Sequence, residues 1–137
     1  MNKFILSLAV LPLAACAAND AAPGSRLSER ETREMERLLE GKTAGEPTRC
    51  VASFDSSRLR ALGDNLLVYE ANKDLVYLNR LDGSCQGITR GDTLVMNRTI
   101  ASQYCRGDIA RVVNIPTGAT TGSCALGDFV PYRAAGQ

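Results

Sequence analysis

The residues of this chain with chemistry to offer are few, and the absences around them narrow what they can do. The 137-residue sequence contains no histidine, so no Ser-His-Asp or Cys-His nucleophile system can be assembled, nor any His-bearing zinc or haem site. The carboxylates that could serve as an acid and a base are Asp55, beside Ser56 and Ser57, and the pair Asp92 and Asp108. No Ser-x-x-Lys or Gly-x-Ser-x-Gly motif accompanies them, and nothing in their spacing brings the two aspartates together. A non-catalytic chain without a bound metal or cofactor is the expectation. Cysteines 50, 85, 105 and 124 are separated by 19 to 35 positions. They contain no Cys-x-x-Cys pair, which argues against a zinc ribbon or a thioredoxin motif. In an oxidising compartment four such cysteines form two disulfides. Arg-Gly-Asp occurs at Arg90-Gly91-Asp92 and again at Arg106-Gly107-Asp108. An adhesive motif is one reading, and Gly-Asp turns leading into strands are the expected one. Asn97-Arg98-Thr99 also spells a glycosylation sequon, a three-residue match to which no weight is given.

The fifth cysteine has a different setting. Lys3 charges a short n-region, residues 4–13 are apolar but for Ser7 and Pro12, and Ala14-Ala15 lead into Cys16. A spanning helix needs about 20 apolar residues, and this stretch ends at Asn19-Asp20. Leu13-Ala14-Ala15-Cys16 resembles the lipobox of bacterial lipoproteins. That resemblance implies cleavage before Cys16, a diacylglycerol on its thiol and acylation of its new amino group. Each buried methylene contributes about 0.8 kcal/mol, so two or three chains anchor stably. Ala17, rather than Asp, implies the outer membrane, with the domain facing the periplasm.

Cleavage leaves 122 residues, enough for one domain, with fifteen basic and fifteen acidic side chains. Such a balance argues against nucleic acid, which calls for a basic excess. Thirteen of the sixteen basic residues are Arg, so recognition of carboxylate or phosphate groups is open to this chain.

The elements that must position these groups follow from local patterns. Residues 16–27 form the lipidated N-terminus and tether, in which the small and turn-forming residues 17–25 reach no more than roughly 30 Å. Ser28-Glu29-Arg30-Glu31 is a capping box that starts a helix running to Glu40, ahead of Gly41. Pairs Glu29/Arg33 and Arg30/Glu34 support it, and Met35, Leu38 and Leu39 form a narrow stripe that lies on the domain. Residues 42–49 read as a loop. Strands are expected at 51–54, 66–70, 75–79, 93–97, 109–114 and 124–130, with turns at Asn72-Lys73 and Asp82-Gly83. The fold class is therefore mostly β with one N-terminal helix: a small antiparallel sheet or open barrel of about six strands, spanning 28–133, with a tail at 134–137.

If 109–114 and 124–130 pair about residue 118, Cys124 lies opposite residue 112 and Cys105 near 131. That separates Cys105 from Cys124 and disfavours a 50–85 plus 105–124 pattern. Two patterns stay open on the residues alone. Ser102-Gln103-Tyr104-Cys105-Arg106-Gly107-Asp108 and Leu126-Gly127-Asp128-Phe129-Val130-Pro131-Tyr132, with Gly41-Lys42-Thr43-Ala44-Gly45, resemble a family of short proteobacterial lipoproteins of unknown function. The likeness spans roughly residues 39–132. It implies a small exported β-rich domain and assigns no activity, cofactor or catalytic residue. The resemblance implies a Cys50–Cys105 bridge that can stand alone, and with it Cys50–Cys105 with Cys85–Cys124 over Cys50–Cys124 with Cys85–Cys105.

Pro131 cannot donate to a ladder, so the strand carrying Phe129 and Tyr132 is expected to end there or lie at a sheet edge. On that reading the two aromatics are interaction residues for an added strand; otherwise they close the core. The functional expectation is a membrane-anchored, non-catalytic envelope module with a protein or cell-wall partner. Its rival is a carrier or sensor of a small ligand, for which a pocket of several hundred Å³ would speak. A histidine-free hydrolase would need clustered carboxylates in a cleft.

Overall fold

The computed structural model describes residues 27–53 and 58–136. The expected signal peptide, Cys16 and most of the tether lie outside the described residues, as do Phe54, Asp55, Ser56 and Ser57.

Helix α1 (Glu29–Leu39) begins as its first four residues dictate. Ser28 accepts from the Glu31 amide, and the Glu31 carboxylate accepts from the Ser28 amide at 2.7 Å, satisfying two otherwise orphaned donors. Those bonds hold the Glu31 carboxyl below its ordinary range. The helix ends one residue earlier than expected, with Glu40 as C-cap.

The strands are β1 (Lys42–Ala44), β2 (Cys50–Ala52), β3 (Leu59–Ala61), β4 (Leu66–Asn72), β5 (Leu75–Arg80), β6 (Asp82–Ser84), β7 (Thr93–Asn97), β8 (Gln103–Cys105), β9 (Ile109–Asn114), β10 (Ala119–Ala125) and β11 (Phe129–Ala134). They form three open antiparallel sheets. One has five strands in the order β1-β11-β5-β4-β3, one has four in the order β6-β10-β9-β7, and β2 pairs with β8.

The five-stranded sheet lies in the middle. Leu66, Val68 and Val76 face the side covered by Leu27, Met35, Leu38 and Leu39. Leu67, Tyr69 and Phe129 face the main core, with Val112, Cys124, Tyr104 and Leu126. Strand β4 is therefore buried on both faces, which is why Leu66-Leu67-Val68-Tyr69 is an unbroken apolar run. Aromatic edges lock the main core: Tyr69 meets Tyr104 at 5.9 Å and Phe129 meets Tyr77 at 6.4 Å between centroids.

Both disulfides form in the pairing implied by the family resemblance. Cys50 and Cys105 lie directly opposite on β2 and β8, with Cα atoms 4.1 Å apart. Cys85–Cys124 ties the start of a 3-10 turn region to β10. The expected register of the second hairpin is off by two residues. Cys124 pairs with Ala110, not residue 112. The Asn114 side chain captures Thr117, which moves the turn ahead of Gly118, and a bulge between Thr120 and Gly122 shifts the ladder again.

Four other expectations need correction. Residues 42–49 are not simply a loop, since β1 pairs with β11 and Thr48 bridges to Phe129. Asp82-Gly83 lies within β6, held by Ser123-Cys124-Ala125. The expected 124–130 strand is the end of β10 and the start of β11, divided where Gly127 is clamped to Asn79. The strand count rises to eleven among the described residues because β1, β3, β6 and β8 are only three residues long and carry too little pattern to be read, and because the 124–130 strand is two.

Leu27 also packs beneath α1, and β11 continues to Ala134. Most consequentially, β11 is not an edge: β5 pairs on one side of it and β1 on the other. Pro131 is tolerated because its carbonyl accepts from Gly45 at 2.8 Å on the side where β1 has just ended. Its missing N–H therefore costs no ladder bond to β5.

Candidate functional site

The two candidate aspartates stand apart, as nothing in their spacing brought them together. Asp92 precedes β7 and Asp108 precedes β9, at opposite ends of the ladder from Thr93↔Val113 to Asn97↔Ile109. Four residue steps at about 3.3 Å put roughly 13 Å or more between them. Each is also fully engaged. Asp92 accepts from Asn114 and Thr121, both at 2.8 Å, and these bonds lower its pKa. Asp108 is only 2 % exposed. It accepts from the Thr99 amide and hydroxyl with one oxygen and from the Cys105 amide with the other. Burial opposes its charge, but these donors outweigh burial and hold the carboxyl below the ordinary range.

Both Arg-Gly-Asp segments are turns, with Gly91 at φ +94° and Gly107 at φ +89°. In the second, the carboxylate is turned into the protein, out of reach of a receptor.

The two sequence motifs prove to be halves of one joint. Gly107 donates to the Leu126 carbonyl and Leu126 to the Asp108 carbonyl. Arg106 and Asp128 form an ion pair at 2.9 Å. Asn79, 1 % exposed, donates to the Gly127 carbonyl at 2.7 Å and accepts from its amide at 3.1 Å. A Cβ at Gly127 would lie 2.3 Å from the Arg80 carbonyl, so this position needs glycine for close approach. Sequence reading missed the clamp because Asn79 and Gly127 are 48 residues apart. It also missed Arg60, which joins Glu34 of α1 to Glu70 of β4. Glu34 was assigned to Arg30 by helical spacing alone.

A groove of about 460 Å³ opens between α1 and the five-stranded sheet. Leu27, Met35 and Leu39 form one wall and Leu66, Leu78 and Val130 the other, while Tyr132, Asn65, Arg80 and Asp128 supply polar groups. β11 alternates, so Phe129 closes the main core while Val130 and Tyr132 turn toward α1. The two aromatics grouped as an interaction edge thus lie on opposite faces: Phe129 is fully buried, and Tyr132, half-buried, borders the groove. The signal for the groove was available in part, as the 35/39 helical stripe and the 130/132 strand alternation.

Asp128 is taken by Arg106, whereas the Arg80 guanidinium has no carboxylate or hydrogen-bond partner among the described residues. Chemically the groove can hold an apolar body and attract an anionic end. Among the described residues no group of three His, Cys, Asp or Glu side chains could hold a metal ion. No helix there is long and apolar enough to cross a membrane.

No curated protein and no solved structure matches the chain. A family match extends over residues 1–127, beginning well before the 39–132 stretch expected from the motifs and stopping inside the second of them. With that match over most of its length, the chain belongs to the Family of unknown function (DUF6491).

Proposed function

We propose that this chain is a lipid-anchored protein of the bacterial envelope whose periplasm-facing domain binds a partner and catalyses nothing. The observation that carries the reading is the groove under α1. It is lined by apolar side chains, most of them partly exposed, while Asp92 and Asp108 serve the fold as hydrogen-bond acceptors. Leu27, on the wall of that groove, stands eleven positions after Cys16. A tether of that length spans no more than about 40 Å, so the groove works close to the anchoring membrane.

A second reading is favoured by volume: about 460 Å³ falls in the range of small-molecule sites, which supports a ligand carrier or sensor over a protein-docking module. The test is a pair of substitutions in the full chain. Cys16→Ser is expected to abolish labelling by a palmitate analogue and to leave an uncleaved precursor. Val130→Arg is expected to keep the melting transition while cross-linked envelope partners, or bound small molecules seen by native mass spectrometry, disappear. A Cys16→Ser protein that matures and fractionates with membranes would refute the anchor. Unchanged partners and ligands in Val130→Arg would refute the groove.

A further inference from the structure

We infer that the groove takes a single-chain amphiphile with an anionic head, its chain against Met35, Leu39, Leu78 and Val130 and its head on Arg80. The inference rests on the ligand reading above and names the class of ligand. The walls require an aliphatic body. They are contributed by a helix stripe and a strand face that are both partly exposed, so an unbranched chain lying between them removes apolar surface from water on two sides.

The head is set by charge. Three charged or phenolic groups border the groove, and two of them do not compete for an anion. The Asp128 carboxylate is neutralised by Arg106 at 2.9 Å, and the Tyr132 hydroxyl, without a hydrogen-bond partner among the described residues, is a donor. Arg80 is left as the cation, exposed and unpaired there. Its planar fork matches a carboxylate or a phosphate. Its position is stiff, since the Arg80 carbonyl is pressed against Gly127 and its strand neighbour Asn79 is clamped to the same glycine. A fatty-acid-type carboxylate and a lysophospholipid-type phosphate share this chemistry, and the membrane at the end of the tether is a source of both.

Met35 and Met96 provide the readout, one in the groove and one packed against the main core. The full chain, labelled with [13C-methyl]methionine and held in zwitterionic nanodiscs, is titrated below micelle formation with dodecanoate, dodecyl phosphate, dodecyl maltoside and dodecyltrimethylammonium. Empty nanodiscs titrated alongside account for partitioning. The two anionic probes are expected to shift the Met35 methyl saturably, leave Met96 in place, and bind roughly tenfold more tightly than the neutral or cationic ones. The stronger of the two anionic arms identifies the head.

Arg80→Gln is expected to remove that preference without moving the melting transition, and Arg80→Lys to restore part of it. Added salt should weaken anionic binding to the unmodified chain, a measurement that needs no variant. Equal Met35 shifts with all four probes would keep the ligand reading and overturn this inference. An unmoved Met35 with every probe would overturn both.

Discussion

Asp108→Asn tests whether the second Arg-Gly-Asp is an internal joint. In the unmodified chain one carboxylate oxygen receives the Thr99 amide and hydroxyl, and the other receives the Cys105 amide at 2.8 Å, all with the side chain 2 % exposed. The amide can keep its oxygen on only one of these sides. The other side must then present an NH2 to an N–H donor, leaving a buried donor unsatisfied. Hydrogen bonds to a charged group contribute about 1.5–3 kcal/mol, and an orphaned buried donor costs about 1–3 kcal/mol. The two overlap, so a loss of roughly 2–4 kcal/mol is expected.

With a urea slope of about 1–3 kcal/mol/M, the midpoint should fall by on the order of 1–2 M at unchanged slope. The pH dependence has a definite sign. The Asp108 pKa is lowered in the folded chain, so its contribution is fully present above the ordinary aspartate pKa of about 3.9 and is lost as pH falls through the folded value. The Asn variant should therefore show a shallower acid limb than the unmodified chain. Urea titrations at pH 7 and across the acid range measure both effects. A loss under about 0.5 kcal/mol, the scale of ordinary surface changes, would refute the burial argument.

Three further outcomes follow from the same geometry. Non-reducing peptide mapping should recover Cys50–Cys105 and Cys85–Cys124. Replacing Cys85 and Cys124 together with Ala should cost about 4 kcal/mol, because the bridge closes a 39-residue separation; four free thiols in exported protein would contradict the framework. Gly127→Ala should cost about 3 kcal/mol or more, since its Cβ would meet backbone at 2.3 Å and not a side chain that can step aside. A near-native melting temperature would show that the clamp is not tight. Arg60→Leu should release α1 from Glu34 and Glu70 and raise hydrogen exchange in the helix more than in β9 and β10; uniform change across all three would count against it.

Local physics was legible in the residue string wherever a pattern closed within a few positions. Ser28 and Glu31 are one helical turn apart, so the capping box is written in four letters. The β4–β5 hairpin needed only alternating apolar residues and a polar turn, although the turn itself moved one residue to Lys73-Asp74 as Asn72 paired with Leu75. Four spaced cysteines without histidine sufficed for two disulfides, while their pairing needed the family likeness as well. Tertiary structure decided what depends on partners distant in sequence. Proline at 131 suggested an edge because it lacks a donor, and β11 became an inner strand because that lack falls where β1 stops. Phe129 and Tyr132 share a motif but not a face, since strand side chains alternate, and only the presence of α1 on one side made the second a groove residue. Among the described residues Arg80 has no ion-pair partner for the same reason: Arg106, brought in by a turn 26 positions later, takes the carboxylate at Asp128.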